Sequence, residues 1–124
     1  MSETHSLVSL VARILMSIIF ISAGLEKITA YEASAAYMQG HGLPGALLPL
    51  AIATELGGGL AVLFGIFSRW AGLLLAGFCL VTAALFHFDL ADQTQKIMLM
   101  KNLAMAGGFL LLYANGPGKY VVKD

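Results

Sequence analysis

The chain has 124 residues, 59% of them hydrophobic and 11% charged, with a formal net charge of zero and a mean hydropathy of +0.85. A water-soluble domain carries about 25% charged residues to cover its surface, so a soluble globular fold is excluded. The balanced charge, without any basic cluster, predicts neither nucleic-acid nor acidic-lipid binding. The single cysteine, Cys79, excludes an intrachain disulfide and Cys-x-x-Cys redox chemistry.

The first apolar segment runs from Leu7 to Ile28. It exceeds the apolar core of a signal peptide, about 7–15 residues, and Met1–Ser6 carries no Lys or Arg. It therefore reads as a retained helix over 7–29. Residues Ala30–Gly45 form the one long connection; Glu32–Gln39 within it reads as a short interfacial helix, and His41-Gly42-Leu43-Pro44-Gly45 ends it. A second long helix is predicted over 46–67, with Pro44 and Pro49 where a first helical turn tolerates proline. Ser68-Arg69 reads as a tight turn, followed by a third helix over 70–89, a connection over Asp89–Gln95, and a fourth helix over 96–115.

Each long segment meets the roughly 20 residues that a helix needs to cross hydrocarbon. The expected architecture is all-α: an integral membrane four-helix bundle, one domain, with the lipid bilayer as its first partner. Four spans put both termini on one face, together with Arg13, Arg69, Lys119 and Lys123. Lys27, Lys96 and Lys101 fall on the opposite face, so the preference of Lys and Arg for the cytoplasm favours an N-in/C-in orientation. The corresponding localisation is the bacterial cytoplasmic (inner) membrane.

Between Glu32 and Arg69 the only Asp, Glu, Lys or Arg is Glu55, in Ala53-Thr54-Glu55-Leu56-Gly57-Gly58-Gly59-Leu60. It lies about 8 residues into its helix, roughly 12 Å along the axis. A charge at such depth costs roughly 2.5–3.5 kcal/mol on insertion scales, so it needs a partner, and Lys101 on the fourth helix is the expected one. Lys27, His87 and Asn102 reach the same leaflet. Small residues share the polar stripes: Arg13, Ser17, Phe20, Gly24 and Lys27 on the first helix, and Ala51, Glu55, Gly58, Gly59 and Val62 on the second. Gly72, Ala76, Ala83 and His87 do so on the third, and Lys101, Met105 and Gly108 on the fourth. Close membrane interfaces use small residues, so these stripes are expected to face inward.

Read functionally, Glu55, His87 and Lys101 line a polar pocket for a small molecule with an apolar body and polar oxygens, such as a quinone or phenol. His87 would donate to a carbonyl oxygen or take a proton, and Glu55 would relay it. The competing reading makes Glu55–Lys101 a purely structural pair, with Lys27 and Arg13 snorkelling to headgroups and His87 sitting at the interface. Other chemistries have little support. A b-type haem needs two axial histidines in spans and only His87 qualifies, and a His41–His87 metal pair with Glu55 or Asp89 is weak. Gly57-Gly58-Gly59 follows no strand and is not a phosphate loop.

The ordered set of "VARILM" with Arg13, Gly24 with Lys27, Tyr37-Met38 and Gly42-Leu43-Pro44 resembles the DoxX family of small bacterial four-helix membrane proteins. So do Glu55 with Gly57-Gly58-Gly59, Gly65 with Arg69, Phe86-His87, Lys101-Asn102, Gly107-Gly108 and Gly116-Pro117-Gly118. The family takes its name from a membrane subunit associated with thiosulfate:quinone oxidoreductase, and many members carry an oxidoreductase label without a demonstrated reaction. The resemblance therefore implies a redox-linked component that binds a quinone-like ligand or anchors a redox protein partner. Two readings stand beside it: a non-catalytic accessory protein, and a small-solute permease, which with four helices would require a homo-oligomer.

Overall fold

Helix α1 (Glu3–Thr29) starts where the Ser2 hydroxyl accepts a hydrogen bond from the His5 amide, 3.0 Å, satisfying one of the open donors of the first turn. The computed structural model describes residues 2–87 and 89–124. After α1 come α2 (Tyr31–Gly40), a single 3-10 turn (Gly45–Leu47), α3 (Leu48–Phe64), α4 (Ser68–Phe86) and α5 (Gln93–Asn115). Asp92 caps α5 through Oδ1, which accepts from the amides of Thr94 and Gln95 at 2.9 and 3.3 Å. Pro49 sits in the first turn of α3, where its missing N–H has no intrahelical partner to lose.

The four long helices, with α3 extended back to Gly45, are long and apolar enough to cross a bilayer. Their bounds differ from the sequence reading in one instructive place. Ser68 and Arg69 are not a turn but the first residues of α4; the turn is Gly65–Phe67, with φ 71° at Gly65 and 46° at Phe67. The cause is remote in sequence. Asp124 Oδ1 accepts from the Ser68 amide and hydroxyl, both at 3.1 Å, and so caps α4 from the C-terminal tail. At the other end of α4 the sequence-predicted extension to 89 passes through Phe88, which lies outside the described residues; helical geometry ends at Phe86.

Helix α1 packs on α3, α3 on α4 and α4 on α5. The ring closes where Phe20 meets Phe109 edge-on at 5.4 Å between centroids, and where Met16 covers Gly108. The core is Phe20, Val62, Leu75, Ala76, Cys79, Ala106, Phe109 and Leu112. Large apolar side chains such as Leu15, Ile18, Leu50, Leu74 and Leu111 point outward, as a surface solvated by lipid requires.

The glycines beside Glu55 divide by role. A Cβ on Gly58 would lie 2.9 Å from Leu75 Cδ2 on α4, and one on Gly59 would lie 3.0 Å from Ile21 Cγ1 on α1. Gly57 faces open space. Two of the three glycines thus let α3 approach both neighbours at once, the close packing membrane helices rely on in place of a hydrophobic driving force.

The termini gather at one end with the α3–α4 turn. The tail pairs with that turn: Phe67 N donates to Lys123 O at 2.8 Å, Val122 N to Phe64 O at 2.9 Å and Lys123 N to Gly65 O at 3.0 Å. The opposite, far end carries α2, the end of α4 and the start of α5.

Candidate functional site

Glu55 is buried, and its partner is Lys27 rather than Lys101. Lys27 Nζ lies 2.9 Å from Glu55 Oε1 and 3.2 Å from Oε2, tying the last turn of α1 to α3. The two side chains differ in access. Glu55 is 3% exposed and Lys27 31%, so the carboxylate is sealed and the ammonium forms its partly open lid. Lys27 completes the stripe of Arg13, Ser17, Phe20 and Gly24, all of which are buried.

The expected Glu55–Lys101 pair does not form because α5 is rotated. Its buried residues are Asn102, Ala106, Phe109 and Leu112, one position on from the Lys101 stripe, a turn of about 100° around the axis. Lys101 is exposed and makes no ion pair among the described residues. Asn102 occupies the interior in its place, donating to the Cys79 carbonyl at 3.2 Å and to Thr82 Oγ1 at 3.3 Å. Thr82 in turn donates to Phe78 O at 2.9 Å, so the network is complete within α4 and α5.

His87, half-buried, ends α4 and is hydrogen-bonded through Nδ1 to Gln95 Oε1 at 2.9 Å, which bridges the α4–α5 connection. No ion pair links it to Glu55 among the described residues. Arg13 belongs to the other end, fourteen residues from Lys27 or about 21 Å of helix. It is neither a member of the Glu55 cluster nor a snorkelling residue. Buried to 2% exposure, it donates from Nε to Val62 O (3.1 Å), from Nη1 to Pro117 O (2.9 Å), and from Nη2 to Leu63 O (3.2 Å) and Tyr120 O (2.8 Å).

Sequence reading passed over an aromatic cluster at the far end. Tyr37 stacks on Phe86 at 5.4 Å between centroids with 23° between planes, and His41 sits 4.6 Å from the Tyr37 ring and 4.9 Å from Phe86. The available signal was spacing, since Tyr37 and His41 are four residues apart and share one face of α2 and its cap. Among the described residues no three His, Cys, Asp or Glu side chains come together as a metal ion would require.

These features define a small multi-pass membrane protein: four spans, a buried arginine at one end, and a half-open ion pair and a separate aromatic cluster at the other. The chain belongs to the DoxX family, whose model matches residues 8–88. It is 54% identical to the inner membrane protein YqjF of Escherichia coli (strain K12) over 113 residues, 91% of this chain and 87% of that one. It is 32% identical to the inner membrane protein YphA of the same organism over 116 residues, 88% of this chain and 83% of that one. A further relative, named "Putative oxidoreductase CatD", from Bacillus subtilis (strain 168), is 33% identical over 76 residues, 61% of this chain and 57% of that one. No solved structure matches the chain. With these relatives and four spans, the protein is a multi-pass component of the bacterial inner membrane.

Proposed function

We propose that this protein is a redox-linked membrane component whose far end takes an aromatic oxygen ligand of the quinone or phenol class. The observation that carries the proposal is the asymmetry of the Lys27–Glu55 pair. An ammonium has three donors, and the carboxylate engages it from the buried side, leaving the exposed side for a ligand oxygen. The Tyr37, His41 and Phe86 rings at the same end offer faces and edges for stacking. In this reading Lys27 hydrogen-bonds the ligand oxygen and Glu55 accepts or returns a proton across the pair. Reduction of a quinone to a quinol takes two electrons and two protons, and a partner protein docked at the membrane face supplies the electrons. The name of the CatD relative supports the oxidoreductase setting. With the N-in/C-in orientation that the basic residues favour, the site opens to the periplasmic leaflet.

One observation favours a different class. The pair is complete without a ligand, and no buried side-chain nitrogen or oxygen among the described residues lacks a partner. That is what a non-catalytic accessory or small-solute transport protein, using the pair only to hold α1 on α3, would show. Titrating a short-chain quinone into purified protein while following thermal unfolding separates the two. A raised midpoint that is lost in the charge-neutral double variant Lys27→Gln/Glu55→Gln, and reduced in Tyr37→Ala, supports ligand binding. An unmoved wild-type midpoint, with no quinone in an organic extract of the protein, favours the accessory reading.

A further inference from the structure

Lys101 takes no part in the Lys27–Glu55 site. It lies about 12 Å along α5 from Gln93, a little over two turns from the start of the helix, and it is exposed. Lys96, one turn nearer the end, is exposed as well. At about 100° per residue the two lysines stand about 140° apart around the helix. Between them run Gln93, Ile97, Met100 and Ala104, all on the open outer face of α5. Ile97, Met100 and Ala104 form an apolar strip with an ammonium on each shoulder.

A cation at this depth calls for a counter-charge, because hydrocarbon does not solvate it. Among the described residues none pairs with Lys101. Of its seven acidic residues, Glu3 and Asp124 are at the termini end, and Glu26, Glu32, Asp89 and Asp92 lie close to or beyond helix ends. Asp92, one turn from Lys96, is engaged in capping α5. Glu55, the one acid at the depth of Lys101, is buried and held by Lys27. A second copy of this chain would thus bring no free carboxylate to the same level. Lipid phosphate at the end of the span is the remaining anion within reach of the lysine stems, and its acyl chains run alongside Ile97, Met100 and Ala104.

We propose that this face of α5 is a binding site for an anionic phospholipid, its phosphate held between Lys96 and Lys101 and its acyl chain laid along the strip. The site is independent of the quinone reading, since neither lysine touches Glu55. Long lysine stems suit it: each lies along apolar surface and carries its charge up to the phosphate.

The test is lipid selection. Protein in detergent micelles doped equally with phosphatidylglycerol and phosphatidylcholine is released in a native mass spectrometer, and the retained lipids are counted. The wild type retains phosphatidylglycerol preferentially. Lys96→Gln/Lys101→Gln lowers that preference by about 30-fold, the loss expected of two lysines beside an anionic headgroup. Lys96→Arg/Lys101→Arg keeps it, and Lys119→Gln at the opposite end leaves it unchanged. Equal retention of both lipids by the wild type overturns the proposal. So does a preference that survives removal of both lysines, or a Lys101-dependent dimer without lipid selection.

Discussion

Each end of the bundle buries a charge in a protein made for hydrocarbon, and each satisfies it with a different kind of partner. At the termini end Arg13 is bound by backbone. Two of its four acceptors, Val62 O and Leu63 O, are among the last carbonyls of α3, which a helix leaves without intrahelical donors. The other two, Pro117 O and Tyr120 O, belong to the tail. The guanidinium fork therefore joins α1, α3 and the tail. At the far end the pair is side chain to side chain, and one member faces out. The first arrangement leaves no room for an outside ligand. The second has an accessible donor, which is why the proposed ligand site is at the far end and not at the other.

That contrast predicts the largest effect at Arg13. Arg13→Met takes the donor from four carbonyls, of which the two in buried bonds, Val62 O and Pro117 O, cost about 1–3 kcal/mol each, and unties the tail. The thermal midpoint in detergent should fall further than for substitutions at Lys27, Glu55 or the glycines of α3, and a protease should then cut after Pro117. Arg13→Lys should fall between, because three donors on one nitrogen cannot span four carbonyls as a planar fork does. An Arg13→Met protein that unfolds at the wild-type temperature would remove the structural role of this end.

The sequence made depth legible and left angular position partly hidden. Four spans, the short helix after the first, and the inward stripes of α1, α3 and α4 follow from apolar length and small-residue spacing. They follow because a buried charge and a close helix approach each leave a mark on residue type. On α5 the mark is faint. Core and lipid both accept apolar residues, so periodicity does not distinguish them, and Lys101 and Asn102 compete for the interior from adjacent positions. Helix order then decides: α3 lies against α1 and α4, which puts Glu55 beside Lys27. The tail was the least readable part. Residues 116–124 hold the α3–α4 turn mainly through backbone hydrogen bonds, which any sequence can make and none announces, with the Asp124 carboxylate on Ser68 as a side-chain contact.

The asymmetry of the far-end pair can be sharpened by removing its members separately. Lys27→Met leaves a sealed carboxylate alone, for which truncation of a buried pair costs about 3–5 kcal/mol; the open side of this pair places the expected value at the low end. Glu55→Gln leaves a lysine that is already 31% exposed and able to extend toward water, so its effect should be smaller. The double variant Lys27→Met/Glu55→Gln should be more stable than Lys27→Met alone. Thermal unfolding of the four proteins as a double-mutant cycle measures the coupling. If Glu55→Gln proves the more damaging single change, the carboxylate holds more than Lys27 and the ammonium is not simply its lid.

The smallest effects separate neighbouring glycines within the same stretch as Glu55. Gly58→Ala places a methyl group 2.9 Å from Leu75 Cδ2 and 3.0 Å from its Cγ, and the leucine is fully buried. It has no free space to turn into, so α3 and α4 must separate slightly, at about 1–3 kcal/mol for overpacking of this kind. Gly57→Ala adds its methyl group where nothing lies within 4 Å, and alanine is the better helix former by up to about 1 kcal/mol. The two variants, one residue apart and chemically identical, should therefore shift the unfolding midpoint in opposite directions. A shared downward shift would mean that Gly57 is also covered, and the nearest candidate for the cover is a second protein chain on that face of α3.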